Sequence, residues 1–199
     1  MINKSIAAML PYMPESFIWL FSKKYIAGTT PDDAIGVVEK LESEHILSTI
    51  DVLGESVSTI EESVAYRNLY LHIIEKIGAR HPRTTFSIKP TMFGLLWDFE
   101  FCYTSIRQII DYCSKKNLFV RIDMEDSRCT TPEINLFGRL YREFPAHIGI
   151  VLQAYLKRTP DDIEHIRSFA NETYPVNVRL CKGIYREPKK IAYTQKHEI

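Results

Sequence analysis

The sequence predicts an α/β fold in which parallel β-strands alternate with helices. Five β-like runs begin at residues 49, 85, 118, 148 and 176, so successive runs start 28 to 36 residues apart. Each gap between two runs contains apolar residues at helical spacing. Strands and helices that alternate in this way are typical of βαβ units on a parallel sheet.

The β-like runs are short, and the helices between them each show one apolar stripe. The runs are Thr49–Glu55, Thr85–Lys89, Leu118–Met124, Ile148–Tyr155 and Val176–Lys182. The four stripes are Val64, Leu69, Ile73, Ile74 and Ile77; Phe101, Cys102, Ile106, Ile109, Ile110 and Cys113; Ile134, Leu140 and Phe144; and Ile163, Ile166 and Phe169. We expect these stripes to face the core and assign them no chemistry.

Three helices begin with the same local signal. Thr30, Thr131 and Thr159 each precede a proline that is followed by one or two acidic residues. A hydroxyl accepts an unpaired amide at the helix start, proline lacks that amide, and carboxylates favour the positive end of the dipole. The sequence therefore predicts helices that start directly after these three threonines.

Two architectures contain parallel βαβ units. A doubly wound sheet favours a Gly-x-Gly-x-x-Gly turn after the first strand, and none of the eight glycines is arranged that way. We therefore expect a (β/α)8 TIM-barrel-like fold in a single domain over residues 1–199. An N-terminal helical segment occupies residues 1–46, and residues 47–199 supply the first five βα units. A complete barrel has about 250 residues, so this barrel is expected to be incomplete.

An incomplete barrel leaves unpaired strand edges and apolar surface. We therefore expect the chain to self-associate, to aggregate or to bind a complementary fragment. A clean, stable monomer in size-exclusion chromatography would count against this expectation.

Composition excludes several functional classes. The 25 basic and 25 acidic residues balance, which argues against binding nucleic acid by general basicity. The four cysteines form no Cys-x-x-Cys pair and the six histidines no metal-binding motif, so we expect reduced thiols and no metal. No apolar run is long enough to span a membrane. We expect the apolar segment 16–25 to be a helix that covers the barrel bottom or packs on a neighbour, with contact to a membrane surface as the alternative.

Charged and polar residues interrupt strands that should be apolar in a parallel sheet. They lie toward the carboxyl ends of the runs, where the loops of a barrel build its active site. These residues are Asp51, Glu55, Lys89, Arg121, Asp123, Glu125, Gln153, Arg179 and Lys182. Any one of them could be a structural ion pair, but their recurrence on all five strands indicates a polar, mostly anionic small ligand.

Five motifs in order resemble the proline dehydrogenase family. They are Asp51-Val-Leu-Gly-Glu55, Ser87-Ile-Lys-Pro-Thr91, Val120-Arg-Ile-Asp-Met-Glu-Asp126, Val151-Leu-Gln-Ala-Tyr-Leu-Lys-Arg158 and Val178-Arg-Leu-Cys-Lys-Gly-Ile-Tyr185. The resemblance implies a stand-alone flavoprotein that binds FAD non-covalently and oxidises L-proline to 1-pyrroline-5-carboxylate. It also implies hydride transfer to flavin N5, a quinone acceptor at the membrane, and a cytoplasmic location that allows peripheral association with the inner membrane.

The same resemblance assigns roles to individual residues. Lys89, Asp123 and Tyr185 match residues beside the proline site, and Glu55 matches a carboxylate that pairs with a substrate-binding arginine. The flavin contacts that it implies are Val151, Gln153, Arg179, Lys182 and Gly183.

Some positions depart from the family pattern. Ile184 replaces the usual alanine after Lys182-Gly183, Cys181 replaces a valine, and Met92 replaces a glutamine. The last helix, whose arginine pair clamps the proline carboxylate, has no counterpart by residue 199. The resemblance therefore predicts weak or absent proline oxidation by these residues alone.

Two other functions stay open at this point. A lyase or aldolase could form a Schiff base on Lys89 or Lys182, and borohydride trapping would detect it. A degenerate, non-catalytic barrel fragment could act as an interaction module, and it would not bind added FAD.

Overall fold

The structure is a computed structural model that describes residues 13–14, 17, 26–54, 56–78, 80–195 and 198–199. The chain divides into two compact units, Met1–Ile46 and Leu47–Ile199. Helix α1 (Pro31–Ser43) belongs to the first unit. The Thr30 hydroxyl accepts from the Asp33 amide at 3.2 Å, and the Asp33 carboxylate accepts from the Thr30 amide at 3.0 Å. This reciprocal capping confirms the predicted start of α1.

The second unit alternates strands and helices as the sequence predicts. Its elements are β1 (Thr49–Asp51), α2 (Ile60–Gly78), β2 (Thr85–Ile88), a 3₁₀ helix (Pro90–Phe93), α3 (Phe99–Lys115), β3 (Phe119–Ile122), α4 (Thr130–Glu143), β4 (Ile148–Gln153), α5 (Thr159–Arg167) and β5 (Asn177–Cys181). The five strands form one parallel sheet in the order β1-β2-β3-β4-β5. This α/β arrangement is TIM-barrel-like, as expected.

One face of the sheet forms the core with the helices. Side chains alternate between the two faces of a strand, and the apolar set on one face is buried. That set is Phe86, Ile88, Val120, Ile122, Ile148, Ile150 and Leu152. The polar side chains lie on the opposite face of the sheet. The apolar core therefore holds the strands in place from one face and leaves the other face to the polar residues.

The strands are shorter than the apolar runs predict. β1 ends at Asp51, four residues before the expected end, and pairs there with Ser87. Its partner β2 ends at Ile88, because Pro90 has no amide to extend the ladder and starts a 3₁₀ turn. The prediction that Asp51 and Glu55 share one strand face is therefore wrong, and Glu55 itself lies outside the described residues.

Two predicted helix caps are also wrong. α4 begins at Thr130 rather than after Thr131, whose hydroxyl accepts from the Arg158 guanidinium at 2.8 Å. α5 begins at Thr159 itself, and the Thr159 hydroxyl donates to the Gln153 carbonyl. Both hydroxyls serve tertiary contacts instead of capping.

Ile163, predicted to lie in the core, is 38% exposed. The buried stripe of α5 runs instead through Thr159, Asp162 and Ile166, and Asp162 pairs with Arg158 at 2.8 Å. A polar residue thus takes the stripe position expected for Ile163.

The outer strand β5 is exposed over its first four residues, 177–180. Val178 is 40% and Leu180 56% exposed, although their partners in the register, Ile150 and Leu152, are buried. Among the helices of the described residues, none is both long and apolar enough to cross a membrane. The segment 16–25, expected to cover the barrel or touch a membrane, lies outside the described residues apart from Phe17.

Candidate active site at the carboxyl ends of the strands

Four charged side chains of alternating sign form a row across the polar face of the sheet. Lys89 Nζ lies 3.0 Å from Asp51 Oδ2 and 3.7 Å from Asp123 Oδ2. Arg179 Nη2 donates to Asp123 Oδ1 at 2.9 Å. The order across the sheet is therefore Asp51, Lys89, Asp123, Arg179, and we call this set the charged row.

The strand register explains how residues far apart in the chain meet in this row. Ser87 pairs with Arg121, so Lys89 and Asp123 lie two residues further along neighbouring strands. On β4 the position between Asp123 and Arg179 is Val151, which pairs with Arg179. The salt bridge from Asp123 to Arg179 therefore spans an apolar residue and joins β3 to β5.

A second cross-strand link lies one layer below the charged row. Arg121 Nη1 donates to Asn177 Oδ1 at 2.7 Å, again from β3 to β5. Gly149 is the β4 residue between them, and a Cβ there would lie 3.0 Å from Arg121 Nη1 and 2.8 Å from the Asn177 carbonyl. The absent side chain makes room for the arginine to cross β4.

The charged row is partly shielded from water. The Lys89 and Asp123 side chains are 13% and 14% exposed, whereas Arg179 is 46% exposed. Burial raises the pKa of Asp51, and the hydrogen bond and positive charge of Lys89 oppose that rise. Partly buried charges are stable only if attraction to well-placed opposite charges offsets their desolvation. Because the signs alternate along the row, each charge has an oppositely charged neighbour.

Gln153 lies at the end of β4, one layer beyond Val151. Its side chain is 3% exposed, and Nε2 donates to the Glu125 carbonyl at 2.7 Å. Its Oε1 is buried and has no hydrogen-bond partner among the described residues. Such an orphaned acceptor is uncommon in a folded protein and points to a donor that these residues do not supply.

The residues that follow β5 fold back toward β4. Lys182 is exposed, and its carbonyl accepts from the Tyr155 amide at 3.0 Å. Gly183 has a φ of +104°, and a Cβ there would lie 2.2 Å from the Tyr155 ring. The Tyr155 hydroxyl donates to the Tyr185 carbonyl at 3.1 Å. Tyr155 therefore fixes the backbone of Lys182, Gly183 and Tyr185 together.

Glu125 ties the loops after the strands to each other. The Thr91 amide donates to its carboxylate at 2.9 Å, and the Thr91 hydroxyl donates to the other oxygen. Thr91 Oγ1 in turn accepts from the Ser56 amide at 3.1 Å. Glu125 thus holds the β2 loop, and through it the β1 loop, instead of facing a ligand with Arg121 and Asp123 as the sequence predicts.

One buried cluster has metal-ligand chemistry. Glu125, Cys129 and Glu133 place their ligand atoms within 4.8 Å of one another, close enough to share an ion, and each residue is at least 96% buried. Burial and the nearby Glu125 charge raise the pKa of Glu133 well above its usual range. This shift favours the neutral form of Glu133, which avoids a second negative charge beside Glu125.

The structure brings some of the sequence-predicted residues together and not others. Lys89, Asp123 and Arg179 meet in the charged row, and Val151 lies between its members. Gln153 lies one layer away, and Lys182, Gly183 and Tyr185 follow on the segment held by Tyr155.

Sequence reasoning named Asp51 among the polar residues at the strand ends but gave it no specific role. It missed three contributors to the site: Tyr155, Asn177 and Gly149. These three act through contacts across the sheet, which no local pattern shows.

Comparison with solved structures places the fold among PutA proteins. The chain is similar to proline utilization A from Bdellovibrio bacteriovorus, with a TM-score of 0.72 and 24% identity over 81% of this chain and 20% of that one. It is also similar to a proline utilization A variant from Bradyrhizobium japonicum, with a TM-score of 0.60 and 19% identity over 68% of this chain and 16% of that one. The fold is thus that of an α/β barrel-type protein, with a candidate site at the carboxyl ends of its strands.

Sequence comparison then identifies the family. The family model described as proline dehydrogenase matches residues 34–198. Proline dehydrogenase 2 of Bacillus subtilis is 31% identical over 176 residues, and the proline dehydrogenase of Deinococcus radiodurans is 30% identical over 186 residues. These alignments cover 88% and 92% of this chain, but 56% and 58% of the relatives. The chain belongs to the proline dehydrogenase family and spans little more than half the length of these relatives.

Proposed function

We propose that the protein oxidises L-proline to 1-pyrroline-5-carboxylate with FAD as cofactor. In this reaction a ring C–N bond becomes C=N, and the substrate loses a hydride and the proton of its amine. A bound flavin supplies the hydride acceptor, and the two electrons pass on to a quinone at a membrane surface. The observation that supports this proposal best is the charged row of Asp51, Lys89, Asp123 and Arg179, at the strand ends of a chain of this family.

The alternating row suits a zwitterionic amino acid. Lys89 offers a cation to the proline carboxylate, and Asp51 and Asp123 hold that ammonium group in place. The two carboxylates also present negative charge to a ring ammonium group. Tyr185 would border the substrate from the segment after β5, and the role of Glu55 follows from the family resemblance alone.

The residues further along the face suit a flavin. The orphaned Oε1 of Gln153 is an acceptor for a donor such as the N–H of the flavin pyrimidine ring. Arg179 is half exposed and Lys182 exposed, so each could place a cation beside the negative charge that a reduced flavin carries. Val151 provides an apolar position on β4 between Asp123 and Arg179. Gly183 lacks a side chain where the Tyr155 ring packs closely against its backbone, so the requirement for glycine comes from Tyr155.

The geometry favours this function over Schiff-base chemistry on Lys89. A Schiff base needs a neutral amine, whereas two carboxylates within 4 Å of Lys89 Nζ stabilise the charged ammonium form.

Anaerobic bleaching of bound flavin by L-proline tests the proposal. Weak activity is sufficient, because bleaching at 450 nm follows a single turnover. We expect L-proline, but not glycine, to bleach the FAD-loaded protein. Lys89→Met should lower the second-order rate of bleaching about 100-fold, which corresponds to about 2.7 kcal/mol, since the substrate carboxylate loses its cation.

Lys115→Met is the matched control, because Lys115 is an exposed lysine that also pairs with an aspartate, at 2.6 Å from Asp111. It should bleach at the rate of the unaltered protein. Bound flavin that stays oxidised at saturating L-proline, or a Lys89→Met protein that bleaches normally, would contradict the proposal.

A further inference from the structure

The residues after β5 form a strap that crosses the carboxyl end of β4. This strap consists of residues 183–193, and its end at residues 191–193 runs antiparallel to residues 155–157. The Lys157 amide donates to the Ile191 carbonyl at 2.9 Å, and the Tyr193 amide donates to the Tyr155 carbonyl at 2.8 Å. Leu156 and Ala192 form the bridge between the two segments and are buried together with Tyr155. The far end of the strap is therefore anchored on the β4–α5 loop.

The middle of the strap is anchored on a different loop. Both oxygens of the Glu187 carboxylate accept hydrogen bonds from Ser127, which lies in the loop between β3 and α4. The Ser127 amide donates to Oε1 at 2.7 Å and its hydroxyl to Oε2 at 2.8 Å. Hydrogen bonds to a charged acceptor are stronger than those between neutral groups, and the paired arrangement also fixes orientation. Both residues are half-buried, so water competes only in part.

These anchors enclose the residues proposed to contact the flavin and the substrate. Lys182, Gly183 and Tyr185 lie between the end of β5 and Glu187. Tyr155 holds the backbone at Gly183 and Tyr185, and the Lys157 ammonium group donates to the Lys189 carbonyl at 2.8 Å. Glu187 adds an anchor between these two points. The Ser127 loop follows directly after Asp123, so the same contact ties the strap to the strand that carries the charged row.

We propose that Glu187 is a positioning residue that sets the flavin affinity of this site through its paired hydrogen bonds to Ser127. The inference rests on the proposed function, because it assumes that Lys182 and Gly183 contact FAD. Glu187 itself need not touch the cofactor. Its effect comes from presenting Lys182, Gly183 and Tyr185 in one fixed arrangement before the cofactor binds, which lowers the ordering cost of binding.

Two readouts on the same variants test the proposal. We expect Glu187→Ala to weaken FAD binding about tenfold in a fluorescence titration, because the strap must then be ordered on binding. We also expect faster trypsin cleavage within the strap, which carries Arg186, Lys189 and Lys190. Glu187→Gln keeps one acceptor oxygen and should lie between the two proteins in both assays. Glu172→Ala, which removes an exposed carboxylate before β5, is the control and should change neither.

A double-mutant cycle shows whether Glu187 acts through Ser127. Ser127→Ala should weaken binding on its own and add little in the Glu187→Ala background. The melting temperature of each variant separates this effect from general destabilisation, and it should change little, because the strap lies at the surface.

The possible failures are distinguishable. If the unaltered protein binds FAD and Glu187→Ala binds it equally well, the inference is wrong and the proposed function stands. If the unaltered protein does not bind FAD, the proposed function fails and the effect on flavin affinity fails with it. Unchanged trypsin cleavage of Glu187→Ala would overturn the anchoring role in either case.

Discussion

At the scale of single residues, several positions are explained by what lies opposite them in space. Gly149 leaves room for Arg121 to reach Asn177, and Gly183 leaves room for the Tyr155 ring. Sequence reasoning assigns Gly183 to close approach by a cofactor, and the structure shows a tyrosine in contact with it. The residues that contact each glycine come from parts of the chain that are distant in sequence. No local pattern therefore identifies them.

Gly183→Ala should destabilise the protein. The left-handed φ of +104° strains an alanine, and the new Cβ would overlap the Tyr155 ring. We expect the free energy of unfolding, measured by urea denaturation, to fall by about 2–3 kcal/mol. Gly36→Ala is the matched control, since a Cβ in α1 meets nothing within 4 Å, and it should not lower stability. An equal effect of both substitutions would contradict this account of Gly183.

At the scale of elements, the strand ends depend on contacts that the sequence does not display. A run of apolar residues continues past Asp51, but β1 stops because β2 gives way to the turn at Pro90. Thr131 and Thr159 have the sequence neighbours that are typical of helix caps. Their hydroxyls instead form tertiary hydrogen bonds: Thr131 accepts from Arg158, and Thr159 donates to the Gln153 carbonyl. The alternation of strands and helices was predictable because it depends only on periodicity, whereas these ends depend on tertiary partners.

The first turn of α4 carries a pH-dependent element in Glu133. Its folded-state pKa is raised, so the unfolded chain releases this proton at a lower pH than the folded protein does. The free energy of unfolding should therefore fall as the pH rises above the usual glutamate range, by up to about 1.4 kcal/mol per pH unit, until the folded protein also releases the proton.

Glu133→Gln should remove this contribution, because glutamine mimics the neutral carboxyl group. Urea denaturation at pH 5 and pH 8 measures the difference, and the variant should lose less stability between these pH values. Glu164→Gln, at an exposed position on α5, should keep the original pH dependence. A Glu133→Gln protein with an unchanged slope would show that Glu133 is already ionised in the folded state.

At the scale of the whole molecule, the sequence predicts that the sheet has a polar face, but it does not predict which charged side chains pair across that face. Polar residues that interrupt apolar runs indicate a site at the strand ends, and four of the nine polar residues found there meet in the charged row. The row becomes visible only through the register, which places Arg179 opposite Val151 and lets its guanidinium reach Asp123. Val178 and Leu180 on the outer strand β5 are exposed apolar residues of the kind that favour self-association. Self-association therefore stays a prediction, and size-exclusion chromatography tests it.

The central claim is that the charged row and the residues after β5 form one site for proline and a flavin, and a fluorescence titration of FAD tests its flavin part most directly. We predict saturable 1:1 quenching by the unaltered protein. Arg179→Met should bind about tenfold more weakly, because the half-exposed guanidinium no longer faces the cofactor. Arg167→Met, at an exposed position on α5, should bind normally. An absence of quenching by the unaltered protein, or equal affinities for Arg179→Met and the control, would contradict the claim.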